Sequence, residues 1–141
     1  MYDGHYLEDL TPGMTATVSR TVSEADVVSF AEVTGDNNPL HLDEVYAAGT
    51  RFGGRIIHGM LSAGFISGVL GTQLPGPGCI YLNQSLAFRA PVRIGDTVDT
   101  TVTVTEIDPE RRLVRFATVC RVGDKAVVEG DALLLVPSRA G

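Results

Sequence analysis

Ile56-Ile57-His58-Gly59-Met60-Leu61-Ser62-Ala63-Gly64-Phe65-Ile66-Ser67-Gly68-Val69-Leu70-Gly71-Thr72-Gln73-Leu74 runs without a single Asp, Glu, Lys or Arg, and Pro75-Gly76-Pro77-Gly78 ends it abruptly. A stretch this long reaches the length at which a helix can span a bilayer. It also carries His58, three hydroxyl side chains, Gln73 and glycines at 59, 64, 68 and 71, and the glycines weaken an isolated helix. A helix apolar all round is equally expected where a sheet wraps it inside a globular domain. The reading adopted is a buried helix over 56–74, with no membrane span.

Beyond residue 78 the texture becomes extended. A strand is expected over 80–88, a turn over 91–96, and a strand over 97–107, where Val98, Val102 and Val104 alternate with threonines and Asp99. Asp108-Pro109-Glu110-Arg111 and Gly123-Asp124 are hairpin turns leading to strands over 113–122 and 126–136. Short connections favour antiparallel pairing. Upstream, 15–22 reads as a strand. Ser23 and Asp26 read as an N-cap with a weaker capping box, opening a helix over 24–34 that Gly35 ends. A loop closed by Pro39 and a short helix over 43–48 follow. The whole is α+β, a single domain over 1–141, with long antiparallel strands curved around one apolar helix. That is the hot-dog arrangement, and such sheets commonly pair with a second copy, so at least a homodimer is predicted.

Composition narrows the function classes. The 141 residues are 44% hydrophobic and 20% charged, the balance of a globular protein with a real core. A net charge of −6 and the absence of any dense Lys/Arg cluster argue against nucleic acid as a partner. The acidic N-terminus, Met1 to Asp9, lacks the apolar core of a secretory signal. Cys79 and Cys120 are isolated, which makes neither a disulfide framework nor a metal cluster. Free thiols in a reducing cytoplasm are expected.

The chemistry-bearing residues flank the helix start. In Gly35-Asp36-Asn37-Asn38-Pro39-Leu40-His41 a carboxylate and an imidazole stand five positions apart on a proline-stiffened loop. Those are the parts needed to polarise a water. Gly59, at the helix start, offers a bare backbone N–H to a developing oxyanion. Ser62 is a candidate to assist the loop or the substrate, and Arg89 and Arg93 are candidates for phosphate contacts. Each has a plainer reading. Asp36 suits a turn beside Gly and Asn. His41 suits a satisfied core histidine, Gly59 close helix packing, and Ser62 a bond to its own helix. The two arginines suit ordinary exposed positions, and His58 suits a residue that positions its turn.

The motif Asp36-Asn37-Asn38-Pro39-Leu40-His41, followed by Phe52-Gly53-Gly54-Arg55-Ile56-Ile57-His58-Gly59-Met60-Leu61, closely resembles the hydratase motif of the MaoC-like family. More narrowly, the chain resembles the short, single-domain (R)-specific enoyl-CoA hydratases. The likeness continues through Leu70 to Gly78, Tyr81 to Val92 and Gly95-Asp96, and covers roughly residues 11 to 136. The resemblance implies a hot-dog dimer, no cofactor beyond the coenzyme A of the substrate, and no metal. It implies addition of water across a trans-2-enoyl-CoA, with Asp36 and His41 handling the water and the (R)-3-hydroxyacyl product feeding polyhydroxyalkanoate synthesis. An acyl-carrier-protein thioester is an alternative substrate, since both carriers share the pantetheine arm. One departure is Gly64, where some relatives carry serine, two positions past Ser62. Two other classes stay open from the residues alone: a hot-dog thioesterase and a non-catalytic acyl-CoA-binding module.

Overall fold

The computed structural model describes residues 4–141; the first three residues of the N-terminal stretch read above lie outside them. After one 3-10 turn at Leu7–Asp9 the elements are β1 (Thr15–Thr21), α1 (Glu24–Thr34), α2 (Pro39–Leu42), α3 (Glu44–Ala48), α4 (Gly59–Thr72), β2 (Ile80–Gln84), β3 (Ala87–Phe88), β4 (Thr97–Asp108), β5 (Leu113–Val122) and β6 (Lys125–Leu135). All strands pair antiparallel in one sheet of order β1-β4-β5-β6-β2, with β3 also on β6.

The long strands follow from their period-two pattern. On β4, Val98, Thr100, Val102 and Val104 turn inward; on β5, Val114, Phe116, Thr118 and Cys120 do so. Together with Val127, Ala132 and Leu134 of β6 they form the floor on which α4 lies, burying Ile66, Val69 and Leu70. Each buried Val, Leu, Ile or Phe among them contributes about 1.5–3 kcal/mol by leaving water. The sheet curved around one central helix is the hot-dog fold.

The helix α4 is shorter than the apolar run and is not wrapped on every side. Ile56 to His58 enter it as non-helical chain, and Met60, Gly64, Ser67 and Gly68 form an exposed strip along the helix. The correction has a simple cause. Glycine makes much of the run look uniformly apolar, and glycine has little side-chain area that needs burying. Among the described residues no helix is long and apolar enough to cross a membrane.

The expected strand over 80–88 is broken at Ser85-Leu86. Gly130 of β6 lies beneath the break, where a Cβ would come within 1.8 Å of the Ser85 carbonyl oxygen. The chain crosses its neighbour there too closely for a continuous ladder, then resumes as β3 and places Phe88 beside the start of α4.

The Ser23 cap forms as a full box: its side chain accepts from Asp26 N–H at 3.1 Å, and the Asp26 carboxylate accepts from Ser23 N–H at 2.9 Å. Gly35, at φ 79°, ends α1. Pro39 does more than close the loop. It is the first residue of α2, and Asn38 caps that turn by accepting from Leu40 N–H at 3.0 Å.

Candidate active site

Asp36 leaves α1 in a local turn in which its Oδ1 accepts from Asn38 N–H at 3.2 Å. The turn reading of Asp36 is therefore correct, and one carboxylate oxygen is spent on it. His41 sits on α2 and is buried. Its Nδ1 lies 2.8 Å from the Ile56 carbonyl. A carbonyl only accepts, so Nδ1 carries the proton and Nε2 of the neutral ring is left as a lone pair. Burial pushes the His41 imidazole below its ordinary value, reinforced by the neighbouring His58, while the Ile56 carbonyl and Asp36 work the other way. Neutral His41 is thus the favoured form.

His58, the residue before α4, is fully buried, and its Nε2 donates to the Asp36 carbonyl at 3.0 Å. This ties the helix start to the Asp36 turn. The His58 ring lies against Phe30, with centroids 4.8 Å apart, and against His41 at 4.0 Å. One carboxylate oxygen of Asp36, one ring nitrogen of His41 and one of His58 all lie within 4.8 Å of each other. Those donor types suit a transition metal. However, the two rings overlie one another with only 33° between their planes, so their in-plane lone pairs run nearly side by side rather than converging on one point. The spacing suits a water instead. Two hydrogen bonds of about 2.8 Å from one oxygen span roughly 4.4 Å between acceptors.

These groups open onto a cavity of about 420 Å³. Its walls are mostly apolar, from Ile56, Ile57, Met60, Phe88, Val92 and Val128 among others, and its polar groups include the Asp36, His41 and His58 cluster together with Ser62. Gly59 opens α4, whose first N–H groups lack intrahelical acceptors. A Cβ at Gly59 would meet the Phe88 ring at 2.6 Å, so close packing demands the glycine as well. Ser62 is buried, with no protein partner for Oγ. Arg89 lines the same cavity, yet its Nε pairs with Glu129 at 3.0 Å on the exposed surface.

Arg93 stands apart from the cavity wall. Its guanidinium donates to the Phe52 carbonyl at 2.5 Å and the Arg55 carbonyl at 3.3 Å, holding the loop before α4. The phosphate role considered for it is replaced by a structural one, because its donors are committed to the backbone.

Residues 10–122 match the family described as MaoC like domain. The chain belongs to the MaoC-like family. Within that family it is 58% identical over 135 residues to the (R)-specific enoyl-CoA hydratase of Rhodospirillum rubrum, covering 96% of this chain and 94% of that one. It is 56% identical to the 3-hydroxybutyryl-CoA dehydratase of Methylorubrum extorquens, covering 95% and 85%. The solved (R)-hydratase of Aeromonas caviae, described as involved in PHA biosynthesis, superposes with a TM-score of 0.89 at 42% identity, covering 92% of this chain and 99% of that one.

Three contributors escaped the sequence reading. Arg51 lines the cavity with its guanidinium 4.8 Å from the Phe52 ring, and has no ion-pair partner among the described residues. Nothing in sequence separates such an arginine from any other loop cation. From sequence Phe88 is only the end of a strand, and the break at Ser85-Leu86 that sets it over Gly59 leaves no local signal. Arg55 stands within the motif, but its contact with His41 arises only in three dimensions.

Proposed function

We propose that the chain is an (R)-specific enoyl-CoA hydratase, adding water to trans-2-enoyl-CoA to give (R)-3-hydroxyacyl-CoA and running in reverse as a dehydratase. The observation that carries this is an Asp36 carboxylate oxygen and a His41 ring nitrogen within 4.8 Å of each other on the wall of a largely apolar cavity. The names of the Rhodospirillum and Methylorubrum relatives support the reaction and its stereochemistry.

The chemistry follows from the hydrogen-bond roles. A water bridged between an Asp36 oxygen and His41 Nε2 donates both protons and keeps its lone pairs for C3 of the enoyl thioester. Asp36 takes one proton as the C3–O bond forms, while His41 holds the water. The C2=C3 electron pair moves towards the thioester, and the oxyanion is met by the Gly59 N–H at the positive end of α4. The proton taken from water is returned to C2, so the pair ends as it began. General acid–base action of this kind is worth about 10²–10⁴-fold. No further cofactor enters the scheme; coenzyme A belongs to the substrate.

Arg51 and Arg89 on the cavity wall offer guanidinium groups to the phosphates of the carrier, and the names of the Rhodospirillum and Methylorubrum relatives support coenzyme A as that carrier. A homodimer is supported by β2, an edge strand that exposes Ile80 and Leu82, with Phe88 and Met60 also exposed. Unpaired Cys79 and Cys120 support a cytoplasmic setting, and the Aeromonas protein's description supports a supply role in polyhydroxyalkanoate synthesis.

The test follows loss of crotonyl-CoA absorbance, with chiral analysis of the product and a parallel assay for free thiol. Turnover to the (R) alcohol without thiol release is expected. An (S) product, thiol release or no turnover across short and medium chains sinks the reading.

A further inference from the structure

Two polar atoms of the cavity wall are buried without a protein partner, and they are complementary. They are His58 Nδ1 and Ser62 Oγ, each on a residue only 1% exposed. The His58 Nε2 faces the Asp36 carbonyl at 3.0 Å, so the ring proton must sit on Nε2. The neutral ring then presents Nδ1 as a bare lone pair that needs a donor. Its ring neighbours supply none: Phe30 has no polar side-chain atom, and the one ring N–H of neutral His41 is given to the Ile56 carbonyl. Ser62 is placed to hold a water that supplies one. It follows His58 by four residues, one turn into α4, on the same cavity wall. The Ser62 carbonyl is occupied separately, accepting from the Cys120 thiol at 3.5 Å, which fixes the backbone that carries the hydroxyl.

We propose that a single water bridges the two, accepting from the Ser62 hydroxyl and donating to His58 Nδ1, and thereby fixes the tautomer with which His58 holds the Asp36 carbonyl. Ser62 is then a positioning residue for Asp36 rather than a contact for the acyl chain. The opposite tautomer would set a nitrogen lone pair against a carbonyl oxygen, which is repulsive, and would release the Asp36 turn from the helix start. The inference rests on the hydratase reading only for its kinetic consequence. The tautomer itself is a property of the free protein.

The experiment therefore begins without substrate. Long-range ¹H–¹⁵N spectra of the histidine rings are recorded for wild type, Ser62→Ala and Ser62→Thr. In wild type, His58 is expected with its proton on Nε2 and with Nδ1 shifted from the value of a bare lone pair. Ser62→Ala moves Nδ1 to that value or populates the other tautomer, and Ser62→Thr, which keeps the hydroxyl, restores the wild-type pattern. With crotonyl-CoA, Ser62→Ala lowers kcat by about tenfold to a hundredfold at nearly constant KM, and threonine rescues it. Should alanine not fold, Ser62→Cys, a weaker donor, is read on the same resonance. Unchanged His58 shifts in the folded variant overturn the proposal. So does a rise in KM alone with the ring undisturbed, which would assign the hydroxyl to substrate. A protein inactive on every enoyl-CoA would overturn the hydratase reading, and the ring spectra would still decide this one.

Discussion

The Arg55 guanidinium donates from Nε to the main-chain carbonyl of His41 at 2.7 Å, and its remaining nitrogens reach Glu24 of α1 at 2.8 and 3.0 Å. His41 is thus held twice by one segment, through its carbonyl by Arg55 and through its ring by the Ile56 carbonyl. Arg55→Ala should lower kcat by about tenfold while KM changes little. A charge-assisted hydrogen bond of this kind is worth roughly 1.5–3 kcal/mol, and the exposure of Glu24 reduces the ion pair's own share. Steady-state kinetics on crotonyl-CoA, with circular dichroism to check folding, measures it. Arg55→Lys should recover only part of the rate, since lysine cannot serve both partners with a planar fork.

Asp36→Asn and His41→Ala should each depress kcat by about 10²–10⁴-fold with modest effects on KM. The double variant should be little worse than the weaker single one, because both groups serve the same water. Additive losses would mean that the two residues act on separate steps.

The pH profile has a defined sign. Burial holds the His41 imidazole below 6.5, and the neutral ring is the form that accepts from water. Activity should fall as pH drops, with the acid limb of kcat/KM centred below 6.5. The unfolded chain takes up that proton at about 6.5 and the folded chain only at lower pH. Between the two values the unfolded state binds more protons, so stability also declines as pH falls. An acid limb centred above 6.5 that disappears in His41→Ala would contradict this account.

Gly59→Ala should be damaging through contact rather than through loss of a donor, because the backbone N–H survives. The added methyl meets Phe88 at 2.6 Å. Adding Phe88→Ala to Gly59→Ala should therefore recover part of the lost stability, a coupling of about 0.5–3 kcal/mol in a double-mutant cycle by thermal or urea unfolding. If the two substitutions prove additive, the ring and the helix start are not in contact.

The fold was legible wherever a period or a cap carried it. The alternation of Val98, Val102 and Val104, the Ser23–Asp26 box and the turns at 109 and 123 each have local causes, and those elements lie within a residue or so of where they were expected. What escaped is long-range. The break in the strand over 80–88 depends on Gly130, more than forty residues later, and the exposed strip of α4 depends on what packs against the helix. The same division holds at the candidate site. Asp36, His41, Gly59, Ser62 and Arg89 do line one cavity, and their spacing in the motif announced the first three. The use of Arg93 as a loop clamp, and of Arg55 as a brace for His41, arises from pairings between distant segments that no local pattern encodes.

Gly130 pairs with Thr118 in the middle of the sheet, far in sequence from every group placed in the reaction. By leaving room for the Ser85 carbonyl it lets β3 carry Phe88 across to the helix entrance. Libraries built to broaden acyl acceptance would be steered to the residues that touch the ligand. Diversity at position 130 would instead be lost as misfolded protein, so this inconspicuous glycine limits how far the pocket can evolve.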